Sequence, residues 1–260
     1  MIRVTLRIGM ILATGAGPLS AQVVPAVKET IEMSPFVVDS TKDTGYAATS
    51  TLAGTRLDTS LKELGASISI YTKTFLEDIG ATNANELLVY VPGMDAGGPG
   101  GNYSGTTADA LAPAVSVNSY RENPQGATRS RGMGSPTPTR NFFNTPISID
   151  SYNTERVEIS RGPNATLFGL GSPGGIINNQ LIRPSMKNKH SVEFGMGSFG
   201  TQRAAADFDR VLIPGKLALR VALLDENTKF QQNYSHEKDR RIFATAHYSP
   251  FQDGTLRASF

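Results

Sequence analysis

Glu155-Arg156-Val157-Glu158-Ile159-Ser160-Arg161-Gly162-Pro163 runs into Asn164-Ala165-Thr166-Leu167-Phe168-Gly169, and Gly174-Gly175-Ile176-Ile177-Asn178 follows shortly after. The first part alternates polar and apolar side chains, the period of a strand, and Gly162-Pro163 ends it. The glycines further on fall in Gly169-Leu170-Gly171-Ser172-Pro173-Gly174, which has the spacing of the dinucleotide fingerprint. That fingerprint needs a helix directly after the loop, with its N-terminus against the pyrophosphate. Pro173 inside the loop and the β-prone Ile-Ile-Asn after it argue for a second strand instead.

Upstream, ordered structure is expected to begin near Ala66, with Ser67-Ile68-Ser69-Ile70-Tyr71 alternating as a strand. Thr74-Phe75-Leu76-Glu77 has the spacing of a capping box and predicts a short helix that Gly80 stops. Asn83-Ala84-Asn85-Glu86 predicts a second, with Leu87 and Leu88 on its apolar face and Pro92-Gly93 at its end. Residues 96–126 are rich in Gly, Ser, Thr, Asn and Pro, too long for an ordinary connection. Val115 and Val117 are candidates for a short strand within that loop, and Arg129-Ser130-Arg131-Gly132-Met133 comes after it.

Downstream of Lys187 the pattern changes. Val192, Phe194 and Met196 share one face, and Phe208 and Leu212 lie opposite Asp207 and Asp209. Leu217, Leu219, Val221 and Leu223 follow the Pro214-Gly215 turn. Ile242, Ala244, Ala246 and Tyr248 face away from Arg241, Thr245 and His247, and Leu256, Ala258 and Phe260 open a fifth segment after Asp253-Gly254. Alternating segments of roughly ten residues joined by turns suit a transmembrane β-barrel. A soluble sandwich sheet alternates in the same way, so this stretch alone leaves both open.

The N-terminus supplies an address. Arg3 and Arg7 precede a short apolar stretch from Ile8 to Ala16, and Pro18-Leu19-Ser20-Ala21 leads into Gln22, the layout of an export signal over residues 1–21. That stretch is too short to span a bilayer as a helix. Residues 22–60 are polar and broken by Pro25, Pro35, Gly45 and Gly54. The run from Lys28 to Asp39 reads either as a flexible leader or as an extended peptide offered to a partner's sheet edge.

Composition narrows the function classes. With 25 basic and 23 acidic residues the chain has no basic field for nucleic acid. With no cysteine and three scattered histidines it suits neither a zinc site nor a thiol enzyme, and no cofactor is expected. No catalytic constellation stands out. The Asn-x-Ser/Thr triplets at Asn102, Asn164 and Asn233 are read as chance matches.

Taken in order, these segments resemble the TonB-dependent outer-membrane receptors. The family's plug signature is an E-R-I-E-V-x-R-G-P run, a small-residue turn, L-Y-G and then G-G-x-I-N, matched here from Glu155 to Asn178. The motif residues are Gly162, Pro163, Gly169, Gly174, Gly175 and Asn178. Residues 66–72, 75–81, 87–93 and Arg131-Gly132 are similar to that family's strand, helix, V-P-G and R-G-F elements. Met133 stands where an aromatic is usual and Phe168 where tyrosine is usual.

The resemblance implies an α+β plug domain over 61–186, with a small mixed sheet and short helices, followed over 187–260 by the first antiparallel strands of an incomplete transmembrane β-barrel. The complete barrel has about 22 strands. It also implies a TonB-box-like segment drawn from Glu29, Thr30, Ile31, Glu32, Met33, Phe36, Val37 and Val38, to which the inner-membrane protein TonB adds a strand. Plug–barrel contacts are expected at Arg131, Glu155, Arg156, Glu158 and Arg161. Arg131 and Arg161 are implied to meet wall glutamates downstream of Phe260. Arg156 and Arg161 could instead pair with Glu155 and Glu158 on an exposed strand.

The implied function is ligand-gated uptake of a scarce nutrient, a metal chelate such as an iron–siderophore complex or an oligosaccharide. The plug and N-terminus would be reached from the periplasm and the barrel wall would meet outer-membrane lipid. Ligand-facing plug loops are expected in 96–126 and 135–145. Too few strands are present to close a barrel, and an open edge is not tolerated in lipid. A soluble periplasmic plug-like binding or signalling module without a pore is therefore the alternative. A secreted enzyme ranks last.

Overall fold

A computed structural model of the chain describes residues 2–6, 43–54, 57–97, 102, 128–132, 134–162, 172–231, 234–251 and 254–260. The strands up to the first helix are β1 (Ile2–Leu6), β2 (Ser50–Thr51), β3 (Thr59–Ser60) and β4 (Ile68–Thr72). Helices α1 (Lys73–Asp78) and α2 (Ala84–Leu88) follow, then β5 (Met94–Asp95), β6 (Arg129–Ser130), β7 (Thr137–Arg140), β8 (Phe143–Asn144), β9 (Thr154–Ser160) and β10 (Ile176–Leu181). The chain continues through β11 (Lys189–Met196), β12 (Gln202–Ile213), β13 (Leu217–Lys229), β14 (His236–Phe251) and β15 (Gly254–Ser259).

The first unit is a mixed sheet in the order β4-β9-β10-β7-β8, with β10 and β7 parallel and the other pairs antiparallel. The decisive run is its central strand β9. One face of β9 and β10 carries Val157, Ile159 and Ile177, which pack beneath the two helices against Leu76, Ala84, Leu87 and Leu88. Each of the larger side chains among these, fully buried, contributes roughly 1.5–3 kcal/mol. The other face carries Arg156, Glu158 and Asn178, and it is buried too. Alternation of side-chain type thus does not mean alternation of exposure, because residues 43–51 cover the polar face.

Both helices form where expected, with their caps shifted. The N-cap of α1 is Thr72, whose Oγ1 accepts from Phe75 N at 3.3 Å, rather than Thr74. Thr72 ends a strand and keeps an extended backbone, as an N-cap requires, whereas Thr74 lies inside the first turn. Asn83 does cap α2 through Glu86 N at 3.1 Å, but the Glu86 carboxylate returns to Thr82 N at 2.6 Å. Gly80 ends α1 with a left-handed backbone, φ +72°.

Order begins earlier than Ala66. Residues 43–54 dock on the plug-like sheet, with Thr72 Oγ1 donating to Gly45 O at 2.7 Å and Tyr46 OH to Asp78 Oδ2 at 2.8 Å. The Tyr46 ring meets Phe75 edge-on at 5.3 Å. Buried Arg156 needs partners that only this segment brings. Strand β7 was not foreseen, since Pro138 speaks against a strand; it pairs with β10 throughout, but β8 joins it only beyond Pro138, at Thr139 and Arg140. Val115 and Val117 lie outside the described residues.

The second unit is an antiparallel meander, β11 to β15, in which the alternating segments pair in sequence order. It does not close on itself. The other edge of β11 carries β1, so backbone from the segment read as an export signal lies antiparallel on it. An open strand edge offers such hydrogen bonds to any extended chain. Among the described residues no helix is long and apolar enough to cross a membrane.

Candidate functional site, the seam between plug and wall

The meander turns its two faces to different surroundings. The face carrying Ala218, Ala222, Leu224 and Phe243 is buried, while Phe194, Phe208, Ile242 and Leu256 on the other are exposed. The buried face packs Ala222, Leu224 and Phe243 against Tyr152, Leu181 and Ile182 of the first unit. Around this apolar patch the contact is charged.

Arg203 on β12 is 3% exposed and forks onto Asp150, with Nη2–Oδ1 at 2.6 Å and Nη1–Oδ2 at 3.3 Å. Its Nη1 also bonds Glu226 on β13. Asp150 is held in turn by the 3-10 turn it caps, its Oδ1 accepting from Tyr152 N at 3.0 Å. A second cluster centres on Arg220 of β13, which forks onto Asp207 at 2.9 and 2.7 Å and donates to Arg183 O at 2.8 Å. Glu155 lies 3.5 Å from the same guanidinium, and Lys73 of α1 lies 3.6 Å from Asp207. Asp209 accepts from Ser185 N at 2.8 Å and Ser185 Oγ at 2.7 Å.

In both clusters the plug supplies an acid and the wall a guanidinium, a fork geometry that fixes orientation as well as charge. Asp150, Arg203 and Arg220 were not among the residues singled out from sequence. Their signal was present, because charged residues alternate with apolar ones along β12 and β13 and so share one face.

Among the other expected contact residues, Arg131 donates to Ser67 Oγ at 3.2 Å and Arg161 to Ser69 Oγ at 2.8 Å. Neither meets a carboxylate among the described residues. Arg156 and Glu158 pair with each other, but deep inside the first unit rather than on an exposed strand. Arg156 also donates from Nε to Gln180 Oε1 at 2.8 Å, from Nη1 to Asp43 Oδ2 at 3.3 Å and from Nη2 to Ser50 O at 2.9 Å. Arg156 thus fastens the docked leader to the sheet. Asn178 Oδ1 accepts from Phe142 N at 2.7 Å and Thr139 Oγ1 at 3.0 Å, holding the β7–β8 turn. Pro163, Gly169 and residues 29–38 lie outside the described residues.

Burial pushes the carboxyls of Asp43 and Glu158 up, against the pull of Arg156. Both therefore bind protons more tightly folded than unfolded. Their contribution to stability is full below their ordinary values of 3.8 and 4.5 and is lost as pH rises through the raised ones. Guanidinium denaturation of the chain and of Asp43→Asn at about pH 4 and about pH 8 checks this. The stability of the parent relative to the variant is expected to fall toward the higher pH; a constant or growing difference would rule out a raised Asp43.

The turn glycines close the geometry. A Cβ on Gly174 would meet Gly134 O at 2.3 Å, and one on Gly175, at φ +90°, would meet Ser160 O at 2.0 Å. Among the described residues no group of acids and histidines could hold a metal ion.

A small mixed sheet under two short helices, bonded through buried ion pairs to one face of an antiparallel wall, defines a plug seated on barrel strands. Residues 60–176 match the family model of the TonB-dependent receptor plug domain. By that match residues 60–176 carry a TonB-dependent receptor plug domain, and the chain is similar to TonB-dependent receptors over most of its length. It is 28% identical over 240 residues to the ferrichrome outer membrane transporter/phage receptor of Escherichia coli K12, covering 89% of this chain and 31% of that protein. It is 27% identical over 208 residues to the ferric-pyoverdine 358 receptor of Pseudomonas putida, covering 77% and 23%. The fold matches the solved ferripyoverdine receptor of Pseudomonas aeruginosa with a TM-score of 0.69 at 20% identity, over 84% of this chain and 28% of that one. The alcaligin outer membrane receptor of Bordetella pertussis matches with a TM-score of 0.67 at 20% identity, over 83% and 35%. The chain thus spans less than a third of the length of these curated relatives. These relatives are transport receptors, and the chain is not an enzyme.

Proposed function

We propose that this chain is the plug-bearing part of an outer-membrane receptor that takes up a scarce nutrient, an iron–siderophore complex being the class the relatives' names favour. The observation that carries the proposal is that the plug is attached on two sides. Toward the wall it is held by Asp150–Arg203 and Glu155–Arg220, and toward the leader by Asp43–Arg156. A plug that admits cargo must stay seated yet be movable from the periplasm. The ion pairs around the apolar patch suit that, because water replaces their partners when the contact opens.

In this reading residues 29–38 supply a strand to TonB. Asp43 lies shortly after them, so a pull on the leader reaches the Asp43–Arg156 contact before the plug sheet. The wall presents its exposed apolar face to lipid, and the plug loops with the missing barrel loops hold the cargo. The chain catalyses nothing.

Deleting residues 28–39 from the receptor is expected to abolish uptake of radiolabelled ferric siderophore while leaving cell-surface binding of the same chelate unchanged. Intact uptake would remove the coupling role from this segment. Recovery of the chain in the periplasmic fraction, with none in the outer membrane, would favour the soluble module instead.

A further inference from the structure

The meander ends in two outer edges, one on β11 and one on β15. Among the described residues no strand lies beyond β15, whereas β1 lies on β11. The two halves of the β11 edge differ in sequence. It opens with Lys189-His190-Ser191, and a lysine on an edge discourages pairing with a foreign chain. Val192-Glu193-Phe194-Gly195-Met196 follows without lysine or proline, and Phe194 and Met196 are exposed. Left open, that half is a template for any extended segment.

This unguarded half is the one that β1 covers. Ile2 pairs with Met196, Arg3 with Gly195, Val4 with Phe194, Thr5 with Glu193 and Leu6 with Val192. The register runs through all five pairs without a slip, whereas β12–β13 and β14–β15 each carry one. The sequence of β1 suits its place, since Ile2, Val4 and Thr5 are β-branched and favour a strand over a helix. A strand this short pairs weakly by itself, but a tether to the same chain holds it at an effective concentration of about millimolar. Cutting the chain before Gln22 turns that contact into a bimolecular one and empties the edge.

We propose that residues 2–6, for as long as they stay attached, act as an edge strand that blocks β11, so that removal of the N-terminal segment opens this edge for the strand that closes the wall. That a wall strand comes to fill it rests on the membrane reading above, since lipid tolerates no open edge. The blocking itself does not rest on that reading. An N-terminus without this role would hold no fixed register on β11.

The chain has no cysteine, so introduced thiols report the pairing without interference. In detergent micelles under mild oxidant, Thr5→Cys/Glu193→Cys is expected to form its internal disulfide about tenfold or more faster than Thr5→Cys/Ala205→Cys. Ala205 lies opposite Glu193 on β12, one strand further from β1 and about 10 Å away, beyond the reach of a disulfide. Equal rates would overturn the pairing. A peptide of residues 1–8 carrying Thr5→Cys as an activated mixed disulfide would then be offered to Glu193→Cys in three chains. The chain beginning at Gln22 is expected to react about tenfold faster than the full chain, whose edge is filled in cis. The full chain with Arg3→Pro/Val4→Pro is expected to react like the shortened one. Adjacent N–H groups of a strand point to opposite sides, so one of the two prolines must remove a bond to β11. Equal rates in all three chains would overturn the blocking role. Recovery of the chain in the periplasmic fraction would remove the closing strand along with the wall reading and leave these rates unchanged, so the two failures are told apart.

Discussion

Arg156→Ala is expected to destabilise the plug by roughly 3–5 kcal/mol, as breaking one side of a buried ion pair does. Arg156 is fully buried, and its removal strands Glu158, which is 1% exposed, without its guanidinium. It also takes away the donor to Ser50 O and the partner of Asp43, so the leader loses its anchor to the sheet. Glu158 can take up a proton, and burial already favours that form, which limits the loss. Guanidinium denaturation of the chain would read the change, and limited proteolysis within residues 43–54 would show whether the leader has come loose. Arg156→Met combined with Glu158→Gln should recover part of the stability, since Glu158 is then no longer a buried charge without a partner, although Asp43 still lacks one. It should not restore protease resistance to the leader. A loss below about 1 kcal/mol for Arg156→Ala would mean the leader and sheet do not depend on this side chain.

Gly175→Ala is expected to cost at least about 3 kcal/mol, the upper part of the range for strained backbone, because two penalties coincide there. The backbone has φ +90°, and the added Cβ would fall 2.0 Å from Ser160 O, inside the β9–β10 pairing itself. A neighbouring glycine provides the comparison. Gly162 has φ +100° but nothing within 4 Å of an added Cβ, so Gly162→Ala carries the conformational penalty alone, about 1 kcal/mol. The difference between the two variants in denaturation midpoint measures the close approach. Equal effects would show that the strands separate at little cost to make room.

These two results concern different parts of the same device. The β9–β10 pair forms the rigid centre of the plug, and Arg156 is fixed within it by Gln180 of the neighbouring strand. The leader attaches to that rigid centre on one side. Asp150 and Glu155, at the start of the same strand, reach the wall on the other. A single seven-residue strand, with the turn before it, therefore carries both attachments on which the proposed uptake depends.

Much of this was legible in the sequence because it depends on local order. Alternation marked β9 and each of β11 to β15, Asn83 marked the start of α2, and the order from Glu155 through Gly175 to Asn178 marked the plug. Pattern of that kind depends on which side a side chain points to, which the strand period of two sets without reference to the rest of the chain.

What faces each side was decided only by the tertiary structure. Arg156 and Glu158 read as an exposed polar edge until residues 43–51, over 100 positions away, are folded across them. Arg203 and Arg220 read as ordinary wall charges until the register of β12 and β13 brings them to Asp150 and Glu155. Thr72 displaces Thr74 as the cap because the strand before it fixes its backbone. In each case a charge or a polar side chain has several chemically acceptable partners along the chain, and only the packing of distant segments, which removes water from some of them, selects one.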